Sequence, residues 1–115
     1  MHELSIAMSI VEMAEEEAQS HGASKVQAVH LRLGVFSGVV KDALLASYEL
    51  ACASTVLEGS KLVIEEVQVE IQCPICEAAR RVDSIQLLRC PECGTLSSEV
   101  VRGKEIEVIA LEIDA

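Results

Sequence analysis

Cys73-Pro74-Ile75-Cys76, thirteen further residues, then Cys90-Pro91-Glu92-Cys93-Gly94 is the stretch around which this chain is organised. Two Cys-x-x-Cys pairs at that separation can bring four sulfurs to the corners of one tetrahedron, the pattern of a structural zinc site. The chain's two prolines, Pro74 and Pro91, each follow the first Cys of a pair. Proline fixes φ and lacks an N–H, which suits a tight turn folding back on a metal. Gly94 can take a positive φ as the chain leaves the second turn. Zinc is favoured over iron because the aromatic residues that often wrap an iron–tetrathiolate centre are missing. Phe36 and Tyr48 are the chain's only aromatics. Four sulfurs at Cys73, Cys76, Cys90 and Cys93 leave no open coordination position, so the site reads as structural rather than catalytic.

The flanks of this module read as strands. Residues 61–72 form the longest, with Val63, Val67, Val69 and Ile71 on one face by alternation, and they run straight into Cys73. After Cys93 come a short strand-like Glu99-Val100-Val101, a turn at 102–104, and a last strand over 105–113. Both faces of that last strand are apolar, which predicts a strand covered on both sides or central in its sheet. The module itself offers little to bury beyond Ile75, Val82, Ile85, Leu87 and Leu88. Metal binding should therefore supply most of its folding free energy, on the order of 10 kcal/mol. Arg80, Arg81 and Arg89 could offset the charge of a zinc–tetrathiolate centre or simply be solubilising charges.

Further out, residues 4–20 have helical periodicity, with Leu4, Met8, Val11 and Ala18 near one face and Ala7 and Ala14 alongside. Residues 25–33 read as a strand, 34–38 as a loop and 40–55 as a second helix carrying Leu44, Tyr48, Ala51, Leu45 and Cys52 inward. The order helix, strand, helix, strand, metal module, strand predicts an α/β (α+β) fold. Two helices pack on a small three-stranded sheet, with the four-cysteine zinc-ribbon module inserted. We expect residues 1–70 plus 98–115 to form one domain and 71–97 the zinc-binding module.

The chain has 115 residues, half of them apolar, and a formal charge of −10. Four thiolates and one Zn(II) would take that to −12, which opposes binding to nucleic acid or an anionic membrane surface. No apolar run approaches a membrane span, and the start Met1-His2-Glu3 has no basic signal-peptide region. Cysteines in a metal pattern suit a reducing compartment, hence the cytoplasm. No phosphate-binding Gly-rich loop, nucleophile elbow or His–carboxylate pair at helical spacing is present, so no enzyme is expected.

The N-terminus is a second candidate metal site. His2 is too bulky for methionine removal to be expected, leaving a free α-amine on Met1. That amine, the next amide nitrogen and the His2 imidazole can form fused chelate rings. The fourth donor would be the Glu3 amide nitrogen or a carboxylate. Such flat nitrogen coordination suits Ni(II) or Cu(II) and not zinc.

Met1-His2-Glu3 opening a helix, an acidic α/β body and a late double Cys-x-x-Cys together resemble the HypA/HybF nickel metallochaperones of nickel–iron hydrogenase maturation. The resemblance covers essentially the whole chain. It includes Gly34-Val35-Phe36-Ser37, Leu57-Glu58-Gly59 and Leu111-Glu112-Ile113-Asp114. It implies nickel at Met1, His2 and Glu3, and zinc at Cys73, Cys76, Cys90 and Cys93. It further implies delivery to the hydrogenase large subunit alongside a GTPase partner. Some relatives carry His beside the zinc pairs, where this chain has Glu77 and Gly94. An acidic residue after the first strand is associated with nickel in relatives, and Asp42 is the nearest here. A homodimer stays open, because the sequence does not set the oligomeric state. The rival reading is a non-enzymatic zinc-ribbon adaptor that mediates protein–protein contacts without a second metal.

Overall fold

The computed structural model describes residues 2–82 and 84–114. The elements are α1 (Glu3–Ser20), β1 (Lys25–Gly34), α2 (Lys41–Cys52), β2 (Lys61–Val67), β3 (Glu70–Cys73), β4 (Ala78–Arg81), β5 (Val100–Arg102) and β6 (Ile106–Asp114). Two three-stranded sheets form, ordered β2-β1-β6 and β4-β3-β5. The chain divides into two compact units. The first is Met1–Arg32, Val39–Glu65 and Glu107–Ala115; the second is Leu33–Gly38 with Glu66–Ile106. The expected two helices, small sheet and inserted four-cysteine module are present, and the module carries a sheet of its own.

In the first unit α1 buries Ala7, Ile10, Val11, Ala14 and Ala18, and α2 buries Leu44, Tyr48 and Cys52. Ala7, Val11, Ala14 and Ala18 form one buried line of α1 at helical spacing, and α1 packs on α2. Leu4 and Met8, expected on the inner face, are exposed instead, because Ala7, Ile10 and Val11 set that face and leave them on its flank. Buried Tyr48 places its hydroxyl 2.7 Å from Ser60 Oγ. Burial pushes the Cys52 thiol pKa up, so Cys52 stays protonated and behaves as a small hydrophobe.

The sheet of this unit is amphipathic. Val26, Val29 and Leu31 of β1 are buried. On the open face Arg32 reaches Glu65 of β2 at 3.3 Å and Glu107 of β6 at 3.0 Å. His30 Nε2 lies 2.6 Å from Glu112 Oε2, and Gln27 donates to the Asp114 carboxylate. These contacts correct the reading of the last strand: β1 is central, and β6 is an exposed edge. Its polar residues fasten one face to β1, while Ile109 and Ile113 remain exposed.

The single long strand expected over 61–72 is in fact two. β2 ends at Val67 and β3 begins at Glu70 in the other sheet. The backbone switches partners there: the Val67 carbonyl accepts from Val35 N–H, and the Val69 carbonyl from Val82 N–H. The inward face changes too, from Leu62 in β2, with Val63 exposed, to Val67, Val69 and Ile71. Val69, Ile71 and Val82 form the core of the second unit, with Phe36, Leu88 and Val100 packed on it. Ile75, Ile85 and Leu87 are exposed, so the module fills its core with Phe36 from the 34–38 loop rather than with them.

That loop is seated by backbone. Phe36 N–H donates to the Gly103 carbonyl at 2.7 Å, and Gly34 N–H to that of Glu105 at 2.7 Å. A Cβ on Gly34 would lie 2.0 Å from the Gly103 carbonyl oxygen. Gly34→Ala must therefore move main chain, at a cost of about 3 kcal/mol. The denaturant midpoint checks this; an unchanged midpoint contradicts it.

Candidate metal centre

The first Cys pair occupies the turn of the β3–β4 hairpin, whose register sets Cys73 opposite Ala78. Glu77 N–H donates to the Cys73 carbonyl at 2.9 Å, with Glu77 at φ 54. The second pair repeats the design: Gly94 N–H donates to the Cys90 carbonyl at 2.9 Å, with Gly94 at φ 78. Each chain reversal thus ends on a left-handed residue that closes back on the first Cys. Glycine does this freely; a residue with a Cβ, such as Glu77, adopts it at roughly 1–2 kcal/mol. Cys76 N–H also points at Cys73 Sγ, 3.3 Å away.

The four sulfurs lie within 4.8 Å of one another, and none is in a disulfide. Cys73 Sγ and Cys93 Sγ are 3.5 Å apart, and Cys76 Sγ and Cys90 Sγ are 3.9 Å apart. A tetrahedral Zn–S length of about 2.3 Å requires edges of about 3.8 Å, so the donor set fits such an ion. Cys73 and Cys90 are buried, Cys76 is half-buried and Cys93 exposed.

The surroundings prepare these sulfurs unequally. The Cys93 thiol donates to the Thr95 hydroxyl oxygen at 3.2 Å. Once Cys93 is ionised, the Thr95 hydroxyl and backbone N–H donate to the thiolate instead, which brings the Cys93 pKa down to about 6. Cys90 is also lowered: burial pushes its pKa up, but the backbone N–H groups of Cys93 and Glu92 outweigh it. Cys76 is pushed up to about 11, chiefly by its hydrogen bond with Cys93. Since metals bind thiolates, Cys93 and Cys90 are the sulfurs most readily delivered. Nothing in the spacing of the cysteines pointed to Thr95; a hydroxyl residue just after Gly94 was the available signal.

At the other end of the chain, His2 is the N-cap residue of α1 and is exposed, and its side chain makes no capping bond. The Glu3 carboxylate accepts a hydrogen bond from Val40 N–H at 3.2 Å. Val40 is the N-cap of α2 and cannot cap with its own side chain, so Glu3 satisfies one of the orphan amides of that helix. Asp42 follows in the first turn of α2, exposed. His2, Glu3 and Asp42 do not come together as a three-side-chain metal cluster among the described residues; the four cysteines do. Met1, the proposed source of the amine donor, lies outside the described residues.

The Val40 hydrogen bond holds the Glu3 carboxyl below the usual carboxylate range. A depressed folded pKa means that the anchor contributes above the unfolded value and is lost as pH falls through the folded one. The Val40 amide resonance should therefore report a carboxylate titration lying below that of free glutamate, and Glu3→Gln should abolish it. A Val40 amide that titrates identically in Glu3→Gln contradicts the contact.

A family profile described as "Hydrogenase/urease nickel incorporation, metallochaperone, hypA" matches residues 1–113. Among curated relatives, a hydrogenase maturation factor HypA of Roseiflexus sp. (strain RS-1) is 49% identical over 114 residues, covering 99% of this chain and 93% of the relative. That of Salmonella typhimurium is 32% identical over 114 residues, covering 99% and 97%. The solution structure of the Ni metallochaperone HypA from Helicobacter pylori superposes with a TM-score of 0.70 at 24% identity, covering 100% of this chain and 99% of that one. At that identity the superposition speaks for the fold alone. The profile spans both the N-terminal tripeptide and the double Cys pair, and with the full-length relatives it places this chain in the HypA family.

Proposed function

We propose that this protein is a nickel metallochaperone that binds Ni(II) at Met1, His2 and Glu3 and delivers it during maturation of nickel–iron hydrogenase. Zn(II) on Cys73, Cys76, Cys90 and Cys93 would be structural. The observation that carries this reading is the match of residues 1–113 to a nickel-incorporation family. The relatives' names favour hydrogenase over urease as the recipient. The exposed His2 imidazole at the start of α1 supports the location. The Met1 amine and the His2 and Glu3 amide nitrogens would complete the plane, with the Glu3 carboxylate engaged at Val40. Asp42, near that anchor, is an accessory candidate.

The division of labour we propose is nickel binding by residues 1–70 with 98–115, and a zinc scaffold and docking element in 71–97. A GTPase of the same pathway and the hydrogenase large subunit are the proposed partners, in the cytoplasm. No helix among the described residues is long and apolar enough to cross a membrane. Catalysis has no part in this reading, because a four-sulfur metal offers no open position.

Titration of Ni(II) into zinc-loaded protein with a native N-terminus, compared with His2→Ala, tests the proposal. One nickel should bind the native chain and far less the variant. Equal binding by both would leave the zinc-ribbon adaptor as the better reading.

A further inference from the structure

β6 is the outer strand of its sheet and, among the described residues, pairs with β1 alone. Its far edge is therefore a row of N–H and C=O groups open to another strand. Natural edge strands are blunted by shortness, by lysines or by prolines. β6 runs for 9 residues, with neither Lys nor Pro. Its acids are engaged on the open face of the sheet: Glu107 by Arg32 at 3.0 Å, Glu112 by His30 at 2.6 Å, and Asp114 by Gln27. Between them residues 108–111 form an uninterrupted apolar run. Ile106, Ile109 and Ile113 are 38%, 43% and 37% exposed.

Along this strand lies a groove of about 390 Å³, whose walls include Met13, Glu17 and His21 of α1 and Ile109, Leu111 and Ile113 of β6. The strand side is apolar and the helix side acidic. Glu17 stands 3.5 Å from His21 Nε2. Exposed Glu16 and Glu17 follow Met13 at i+3 and i+4, on the same side of the helix. Neither α1 nor β6 contains a Lys or Arg. The cations of the first unit, Lys25, Arg32, Lys41 and Lys61, all lie on other elements.

That charge selects the occupant. A second copy pairing antiparallel through β6 would bring two acidic α1 helices together on one side of the joined sheet, a like-charge contact on a chain already at −10. We propose that β6 and its groove dock an extended basic segment of a partner protein, which adds a strand at the β6 edge. Main-chain pairing would supply affinity, and alternate side chains would supply selectivity. Aliphatic residues of the segment would seat on Ile109 and Ile113, and its Lys or Arg residues would face Glu16 and Glu17. Docking of this kind does not depend on where nickel binds.

The probe is an octapeptide of alternating Val and Lys, blocked at both ends, with its Val–Glu counterpart as control. Each is titrated into the full-length protein while backbone amide shifts are followed. The Val–Lys peptide should move the amides of β6 and of residues 13–21, and added salt should weaken it. Ile109→Lys should weaken binding about tenfold, the worth of one buried aliphatic side chain. Glu17→Gln should weaken it by less and flatten the salt dependence, and it decides if Ile109→Lys does not fold. The proposal is overturned if the Val–Lys peptide leaves these amides unmoved, if the Val–Glu peptide binds equally well, or if the folded variants bind as the native chain does. The same amides moving with protein concentration alone would make a second copy the occupant, and overturn it as well.

Discussion

Cys90→Ser is expected to lose zinc and to unfold the second unit, an effect on the order of 10 kcal/mol. The size follows from how little else holds that unit. Its buried cluster is Val69, Ile71 and Val82, with Phe36, Leu88 and Val100 only partly covered. Its sheet has strands of four, four and three residues. Cys90 is itself buried, and its carbonyl closes the second chain reversal. A serine there leaves three sulfurs and an oxygen that cannot match a thiolate. Elemental analysis should find zinc lost, and amide spectra should lose dispersion for residues 66–106. Signals from α1 and α2, packed on each other in the first unit, should persist. A Cys90→Ser chain that folds normally without zinc contradicts the structural role.

Acetylating the Met1 α-amine is the second large effect expected, and it should weaken Ni(II) binding by more than about 100-fold. Second-shell changes around metal sites already cost about 10–100-fold, and this change removes a ligand. Acetylation takes the amine lone pair out of the chelate and opens the ring it would close with the His2 amide, while every side chain stays in place. The same site should bind more weakly as pH falls below the amine's ordinary pKa of about 7.7–8.0, because the ligand is the unprotonated amine. Calorimetric titration of native and acetylated chains measures this. Equal affinities would move the nickel elsewhere.

The parts legible in the sequence were those set by spacing. Cys73, Cys76, Cys90 and Cys93 meet as their intervals require, and the positive φ of Gly94 follows from the turn it must close. Periodicity placed both helices, yet it misjudged the inner line of α1. Alternation cannot register a partner switch, so residues 61–72 read as one strand although the backbone changes sheets after Val67. Nor does it tell an edge from a centre: β6 is apolar on both faces and still lies at an edge, since Arg32, His30 and Gln27 secure it through its acidic residues. The anchor from Glu3 to Val40 joins residues far apart in sequence. No local pattern encodes it.

In the proposed function, cargo nickel and structural zinc occupy different ends of the chain with different donors. X-ray absorption at both metal edges, on one sample of native protein carrying one equivalent of each, tests it most directly. The zinc edge should report four sulfur neighbours at about 2.3 Å, and the nickel edge a shell of nitrogen and oxygen with no sulfur. Sulfur in the nickel shell, or fewer than four sulfurs around zinc, would contradict the account.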